Sequence, residues 1–301
     1  MRTSLVLPAV LAGALLLTAC GTEVGTGADT RPVADGTGLC TPPADPEQLA
    51  QDGVEITSPE QGSLDCGPQT PGKPRIGFQA TNRGSQPMTY TITFEVRTAS
   101  GEGLGFPVAT VRHVAPGQTV KASTGITDAV AGRQAPASVR IHQVRSVPSD
   151  EAPVPSGPCP PSGIRVTADQ GDAAMGLRVV GLHLENCSTR PYRLDGFPRI
   201  QLSDEKHEAI TGVAVLHGSG GITTGTDFDD PVRAMTLAPG ERATSGLMWR
   251  NTVTNGDPVD VPYVRVTAAP GAQPVTVTPE LDLGTTGKLG VAPWKKDKAS
   301  R

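Results

Sequence analysis

Short runs in which apolar and polar residues alternate recur along most of the chain after residue 75. The clearest run covers residues 89–97, where Tyr90, Ile92, Phe94 and Val96 fall on one face and polar or charged residues on the other. A period of two over nine residues predicts a half-buried β-strand.

The same pattern predicts further strands in both halves, separated by Gly, Pro, Asn and Asp. These strands cover residues 75–80, 106–114, 138–144, 164–166, 177–184, 199–202, 212–216, 243–249 and 263–267. Regular turn spacing of this kind favours β-sandwiches. We therefore predict an all-β chain with two Ig-like β-sandwich domains, each of roughly seven to nine short strands. One short helix is expected before them, with Asp45 as the N-cap, Pro46 at its first position, Gln48 three residues after the cap and Gly53 at its end.

The N-terminus has the pattern of a lipoprotein signal peptide. An apolar run over residues 5–17 follows Arg2 and ends in Leu17-Thr18-Ala19-Cys20, which has the pattern of a lipobox. The run is too short for a membrane-spanning helix, which needs about 20 apolar residues. A plain secretory signal with a chance cysteine is the alternative. We predict cleavage after residue 19 and lipidation of Cys20, which would anchor the protein on the extracytoplasmic face of the cell membrane.

The composition of the predicted mature chain indicates a tether, two domains joined by a linker, and a C-terminal tail. Residues 20–39 form the lipidated cysteine and a Gly- and Thr-rich flexible tether. An N-terminal sandwich over 40–146 is followed by a proline-rich linker over 147–158, which favours independent motion of the two domains. A C-terminal sandwich over 159–284 precedes a tail over 285–301. In that tail Trp294 lies beside three lysines, a cluster suited to contact with anionic lipid or wall polymer. A disordered tail without such a contact is the alternative.

The cysteines fit an oxidising compartment. If Cys20 carries lipid, an even number remains, and four cysteines allow three disulfide connectivities. We favour Cys40–Cys66 and Cys159–Cys187, because each pair then lies within one domain. Zinc-type spacing is absent from the sequence, and no metal site is predicted.

The two halves contain similar segments. Residues 78–87 resemble 183–191, and both place an Asn five residues before a Pro at the end of an apolar strand. Residues 114–119 and 237–242 share an Ala-Pro-Gly turn. Either a distant duplication of one sandwich or the reuse of common turn chemistry explains the similarity.

Charge and motifs exclude several functions. Removing residues 1–19 changes the formal net charge from −4 to −5, which disfavours nucleic acid as a partner. The sequence contains no P-loop, dinucleotide fingerprint or HExxH motif. Residues 217–221 are similar to the glycine-rich oxyanion segment of esterases, but no nucleophile elbow accompanies them. We therefore predict a protein that is not an enzyme and needs no cofactor.

Residues 217–230 form the one loop that favours a functional role, because fourteen residues without a strand pattern are long for a compact domain. Asp227, Asp229 and Asp230 offer oxygen ligands to a cation such as Ca²⁺, although their spacing is not that of an EF-hand. His217 is a further candidate in this loop, and Phe228 is a candidate contact aromatic. A solvated loop without a ligand is the alternative.

The segment from Cys159 to about residue 283 resembles an actinobacterial secreted and lipoprotein family, the domain of unknown function 4232. The resemblance rests on a set of short motifs spread along the segment. These are Cys159-Pro160, the strand containing Leu182, Leu184, Asn186 and Cys187, then Tyr192, Leu194-Asp195-Gly196-Phe197-Pro198 with Ile200 and Leu202, Leu237-Ala238-Pro239-Gly240, and Leu247 with Trp249. It implies an Ig-like sandwich with a Cys159–Cys187 bridge and no transferable activity.

Together these observations predict a cell-envelope lipoprotein that acts as a non-enzymatic binding or interaction module. Its expected partners are the membrane, through the lipid, and an envelope protein or wall polymer. A structural wall-associated protein is one alternative. A metal-binding or hydrolytic protein that uses residues 217–230 is the alternative of another class.

Overall fold

Alternating side chains place the first half of the chain in two sheets that enclose one core. The computed structural model describes residues 49–57, 75–98, 100–126 and 138–297. Eight strands precede the second half: β1 (Ala50–Gln51), β2 (Val54–Ile56), β3 (Arg75–Thr81), β4 (Met88–Arg97), β5 (Gly103–Gly105), β6 (Val108–Val114), β7 (Thr119–Gly125) and β8 (Ser138–Pro148).

The first sheet has the order β1-β2-β3-β7, and in the second β4 pairs with β8 on one edge and with β5 and β6 on the other. All of these pairings are antiparallel. Phe78 of the first sheet meets Phe94 of the second with ring centroids 5.1 Å apart. We call this unit, residues 49–148, the N-terminal sandwich.

The second half is also built from strands, over residues 159–297, and we call it the C-terminal sandwich. Its strands are β9 (Ile164–Ala168), β10 (Asp172–Ala174), β11 (Leu177–Asn186), β12 (Tyr192–Leu194), β13 (Arg199–Ser203), β14 (Ala214–His217), β15 (Met235–Leu237), β16 (Arg242–Arg250), β17 (Asp260–Val261), β18 (Tyr263–Thr267), β19 (Val275–Val277), β20 (Leu281–Asp282), β21 (Lys288–Val291) and β22 (Lys295–Lys296).

The long strands β11 and β16 pair along their length at the centre of a seven-stranded sheet. The sheet β13-β18-β19 and the pairs β12-β15 and β17-β20 contribute to the same core, which contains Trp249 and Trp294. The prediction of an all-β chain is confirmed. The expected seven to nine strands are too few for the C-terminal sandwich, because its loops contain several additional two- and three-residue strands.

The predicted helix before the first sandwich is wrong where the structure describes it. Leu49 is followed by β1 and β2, which form a hairpin closed by Asp52 and Gly53. Both turn residues have positive φ, 47° and 80°, as a two-residue type I′ turn requires. A Cβ on Gly53 would lie 2.5 Å from the carbonyl oxygen of Thr81. Asp45, Pro46 and Gln48 lie outside the described residues.

The predicted C-terminal tail is wrong for residues 288–296. β21 pairs with β14 in parallel and with β16 in antiparallel orientation, and β22 pairs with β16. Trp294 is 2% exposed, and its indole N–H donates to the carbonyl oxygen of Ala268 at 3.0 Å. The segment is therefore core structure, because its apolar residues close the C-terminal sandwich.

The predicted linker connects the two sandwiches but is bound at several points. β8 continues to Pro148, past the predicted boundary at 146. Glu151 accepts hydrogen bonds from Arg265 at 2.6–3.0 Å and from the Thr276 hydroxyl at 2.8 Å. The expectation of independently moving domains is not supported by these contacts, and the described residues belong to one compact unit. No helix in the described ranges has the length and apolar content to span a bilayer.

Candidate functional site

The loop over residues 217–230 places its acidic side chains on separate partners. Asp229 accepts hydrogen bonds from the Ser219 hydroxyl and, at 2.8 Å, from the Ser219 N–H. These bonds lower the pKa of Asp229, because they stabilise its ionised form. The carboxylates of Asp227 and Asp230 instead pair with Lys295, each within 3.1 Å of its ammonium group.

The structure therefore brings two of the three candidate carboxylates together around a lysine. Burial alone would lower the pKa of Lys295, but hydrogen bonds to Asp227 and Asp230 raise it. The ammonium group occupies the position between the carboxylates where a cation would sit. Within the described residues, no group of three or more His, Cys, Asp or Glu side chains is arranged to hold a metal ion.

The two ring-bearing residues of this loop have structural roles. Phe228 is 5% exposed and packs in a small apolar cluster with Ile222, Met248 and Ala292. The idea that Phe228 is a contact aromatic is wrong, because the 3-10 turn over Asp227–Asp229 directs it inward. His217 ends β14, and its ring stacks on Phe197 with centroids 4.0 Å apart. Most of the side chains considered in this loop thus stabilise the loop itself.

A cleft of about 460 Å³ lies between the two sandwiches. One wall is the loop that joins β3 to β4, together with Asp52 and Tyr90. The other wall contains Glu205, His207 and Tyr263 of the C-terminal sandwich. Its volume falls in the range of small-molecule sites, and such sites occur preferentially at domain interfaces.

Asn82 fixes the first wall. Its amide donates to the carbonyl oxygens of Gln86 and Val114 at 2.7 and 2.8 Å, and its side-chain oxygen accepts from the Gly84 N–H at 2.8 Å. Asn82 is only 1% exposed, so these bonds are shielded from water and hold the loop in one conformation.

Tyr263 organises the second wall. Its ring stacks on His207 at 4.2 Å between centroids, and the Arg145 guanidinium lies 5.8 Å from the same ring. Arg145 forms two hydrogen bonds with Glu280, at 2.6 and 2.7 Å, and one with Glu205 at 2.9 Å. These pairs connect β8 to the C-terminal sandwich.

Two further features distinguish the cleft chemically. Packing that removes water lowers the pKa of His207, and the carboxylates of Asp204 and Glu205 oppose this shift. Burial raises the pKa of Tyr90, and the charge of Arg83 opposes that shift.

The cysteines are placed as follows. Cys159 and Cys187 form a disulfide with Cα atoms 5.7 Å apart, which confirms that pairing. Cys20, Cys40 and Cys66 lie outside the described residues, so lipidation and the Cys40–Cys66 bridge remain predictions. The sequence did not indicate Arg83, His207 or Tyr263 as site residues, because Arg83 lies more than a hundred positions before the other two and the three residues share no motif.

The described residues form an all-β structure with two hydrophobic cores, one in each half of the chain. Residues 159–295 match the family model described as Domain of unknown function (DUF4232), which confirms the resemblance of the C-terminal sandwich. The match continues past the predicted boundary at 284 through β21, in agreement with the structure.

Other comparisons add little. No curated protein sequence matches the chain. One solved structure that matches is red sea bream transglutaminase, at 9% identity and a TM-score of 0.20, over 81% of this chain and 31% of that chain. The chain thus spans less than a third of that protein, and a likeness at this TM-score carries no argument about fold or activity.

Proposed function

We propose that the protein is a lipid-anchored, extracytoplasmic binding protein without enzymatic activity, and that its ligand binds in the cleft between the sandwiches. The observation that carries the proposal is the construction of the cleft from two fixed walls. Asn82 holds one wall and the Tyr263 cluster holds the other. Preformed clefts of this kind bind ligands with little ordering cost.

The location is part of the same proposal. It is supported by the Leu17-Thr18-Ala19-Cys20 sequence and by the disulfide between Cys159 and Cys187, a bond typical of oxidising compartments. The assignment of both sandwiches as Ig-like also belongs here, and it is supported by the antiparallel two-sheet arrangement of the N-terminal sandwich.

Intact-mass analysis of the protein from native membranes, with and without reduction and alkylation, tests the location. We expect a chain that begins at Cys20, carries lipid and contains no free thiol. A chain without lipid, or free thiols at Cys40 and Cys66, would contradict the predicted anchor or the predicted bridge.

Hydrogen exchange of the full chain, with and without a small-molecule extract of the envelope, tests the binding site. We expect slower exchange at residues 82–88 and 204–208, because a bound ligand stabilises the conformation that it contacts. Protection confined to residues 217–230 would instead favour the loop as the binding site.

A further inference from the structure

The geometry points to recognition of an oxyanion in this cleft: Arg83 binds the carboxylate or phosphate of a small ligand whose ring or apolar part lies against His207 and Met88. The inference rests on the proposed binding function and adds the chemical class of the ligand.

Arg83 is the guanidinium that the cleft leaves available. It is exposed, and within the part of the chain that the structure describes it has no hydrogen-bond or ion-pair partner. Arg145, by contrast, is committed to Glu205 and Glu280. A guanidinium offers two parallel N–H donors that match the two oxygens of a carboxylate or phosphate.

The backbone around Arg83 is fixed before any ligand arrives. The residue directly before it is Asn82, whose side chain bonds to three backbone groups of the same wall. The C-terminal sandwich contains the same loop, in which Asn186 donates to the carbonyl oxygens of Arg190 and Leu237 at 2.8 and 2.9 Å. In that loop the residue after the asparagine is Cys187, which forms a disulfide with Cys159. The equivalent position of the N-terminal loop is occupied by Arg83, whose charge is not used in a structural bond among the described residues.

The opposite wall suits a ring or an apolar group. His207 has a positive φ of 63°, and its ring stacks on Tyr263 with centroids 4.2 Å apart. Met88, the first residue of β4, lines the cleft on the side of Arg83 and provides a polarisable contact. A ligand in the cleft would bury its apolar part between His207 and Met88 while its anionic group reaches Arg83.

The acidic residues of the cleft limit the charge of the ligand. Glu205 is paired with Arg145 at 2.9 Å. Asp52 accepts a hydrogen bond from the Gln51 amide and has no cationic partner among the described residues. Arg83 and Asp52 both line the cleft and give it one unpaired cation and one unpaired carboxylate among the described residues. This balance favours a ligand with a single anionic group over a polyanion, which Asp52 would repel.

Ligand-observed NMR with the full chain in detergent tests the inference. The probes are 4-hydroxyphenylacetate, phenyl phosphate and the neutral 4-hydroxybenzyl alcohol. We expect one or both anions to bind about tenfold more tightly than the alcohol, and Arg83→Gln to remove this difference, because one charge-assisted pair is worth roughly that factor. The two anions together distinguish a carboxylate site from a phosphate site.

The matched control is Arg190→Gln, an exposed arginine in the equivalent loop of the C-terminal sandwich. It should leave the binding of every probe unchanged, and the detergent contributes equally to all variants. Equal binding of the anions by wild type and Arg83→Gln would overturn the inference, as would equal binding of anions and alcohol or no binding of any probe. Cleft protection by envelope extract in the exchange experiment would still support the proposed function in those cases.

Discussion

Asn82 and Asn186 occupy the same position in the two sandwiches and make the same hydrogen bonds. Each side-chain amide donates to two carbonyl oxygens, one four residues later in the chain and one in the facing strand. Each backbone N–H donates to the residue after a Pro-Gly turn, Gln118 or Glu241, at 3.0 Å.

The strand registers around these two asparagines agree as well. Thr81 and Glu185, which directly precede the two asparagines, pair with Thr119 and Arg242, respectively. The residues six positions after the asparagines pair in the same way, Met88 with Val114 and Tyr192 with Leu237. Shared turn chemistry alone explains the Pro-Gly turns but not equal registers across two strand pairs in each sandwich. The structure therefore favours duplication over turn reuse.

Replacing either asparagine should destabilise its sandwich. Both are buried, and Asn82→Ala or Asn186→Ala leaves the carbonyl oxygen of Val114 or Leu237 without its donor. We expect each substitution to lower the free energy of unfolding by roughly 3 kcal/mol, the cost of a buried polar group without a partner. Urea unfolding measures the effect. Asn251→Ala, on a partly exposed asparagine, is the control, and an equal loss there would contradict a special role for the pair.

Trp294 should behave as a core residue. We expect Trp294→Ala to lower the free energy of unfolding by about 3–5 kcal/mol, because the substitution leaves a large cavity. The exposed Phe106 is the matched aromatic control, and Phe106→Ala should change stability by about 0.5 kcal/mol or less. Altered membrane binding with unchanged stability would instead support the tail interpretation.

Arg145 should couple the two sandwiches. The side chain is buried and binds Glu205 and Glu280 of the C-terminal sandwich. Because both glutamates are partly exposed, we expect Arg145→Met to cost about 2 kcal/mol rather than the full value of a buried pair. Calorimetry should also show the single unfolding transition broaden or divide. Arg242→Met, whose nitrogen lies 3.7 Å from Glu185, should leave the transition unchanged.

Alternation along the sequence predicted the strands that are buried on one face. β4 is the best example, because Tyr90, Ile92, Phe94 and Val96 are all buried as the pattern requires. The hairpin at Asp52-Gly53 was missed although Asp-Gly is a strong turn signal. The nearby Asp45-Pro46 pattern favoured a helix instead.

The sequence also did not predict β21 or the cleft between the sandwiches, and the physical reasons differ. β21 is buried over Leu289, Gly290 and Val291, so it shows no alternation, and the lysines that follow are typical of a tail. The cleft had no local signal at all. It brings Arg83 and His207 together through packing between the sandwiches, and a single sequence does not encode that proximity in any short pattern.

His207 should make stability depend on pH. Desolvation lowers its pKa in the folded protein, so folding favours the neutral ring. The stability that comes from the neutral His207 ring is fully present above the pKa of histidine in the unfolded chain, about 6.5. This stability is lost as the pH falls through that value toward the lower pKa of the folded protein. We expect the unfolding midpoint of wild type to fall more between pH 7.5 and pH 5 than that of His207→Gln. His113→Gln, at a φ of 56°, controls for replacement of a histidine with positive φ. Parallel pH profiles for wild type and His207→Gln would contradict this prediction.

Lys295 should prevent Ca²⁺ from binding to the loop over residues 217–230. In wild type its ammonium lies between Asp227 and Asp230, so we expect added Ca²⁺ to leave the thermal midpoint unchanged. Lys295→Met should lower stability by about 0.5–1 kcal/mol, as for a surface ion pair, and should make the midpoint rise with Ca²⁺, because the two carboxylates lose their counter-charge. Lys296→Met, which breaks a 2.7 Å pair with Glu241, is the matched control and should give no Ca²⁺ response. If Ca²⁺ stabilises wild type and Asp227→Asn abolishes the effect, the loop is a cation site and the role assigned to Lys295 is wrong.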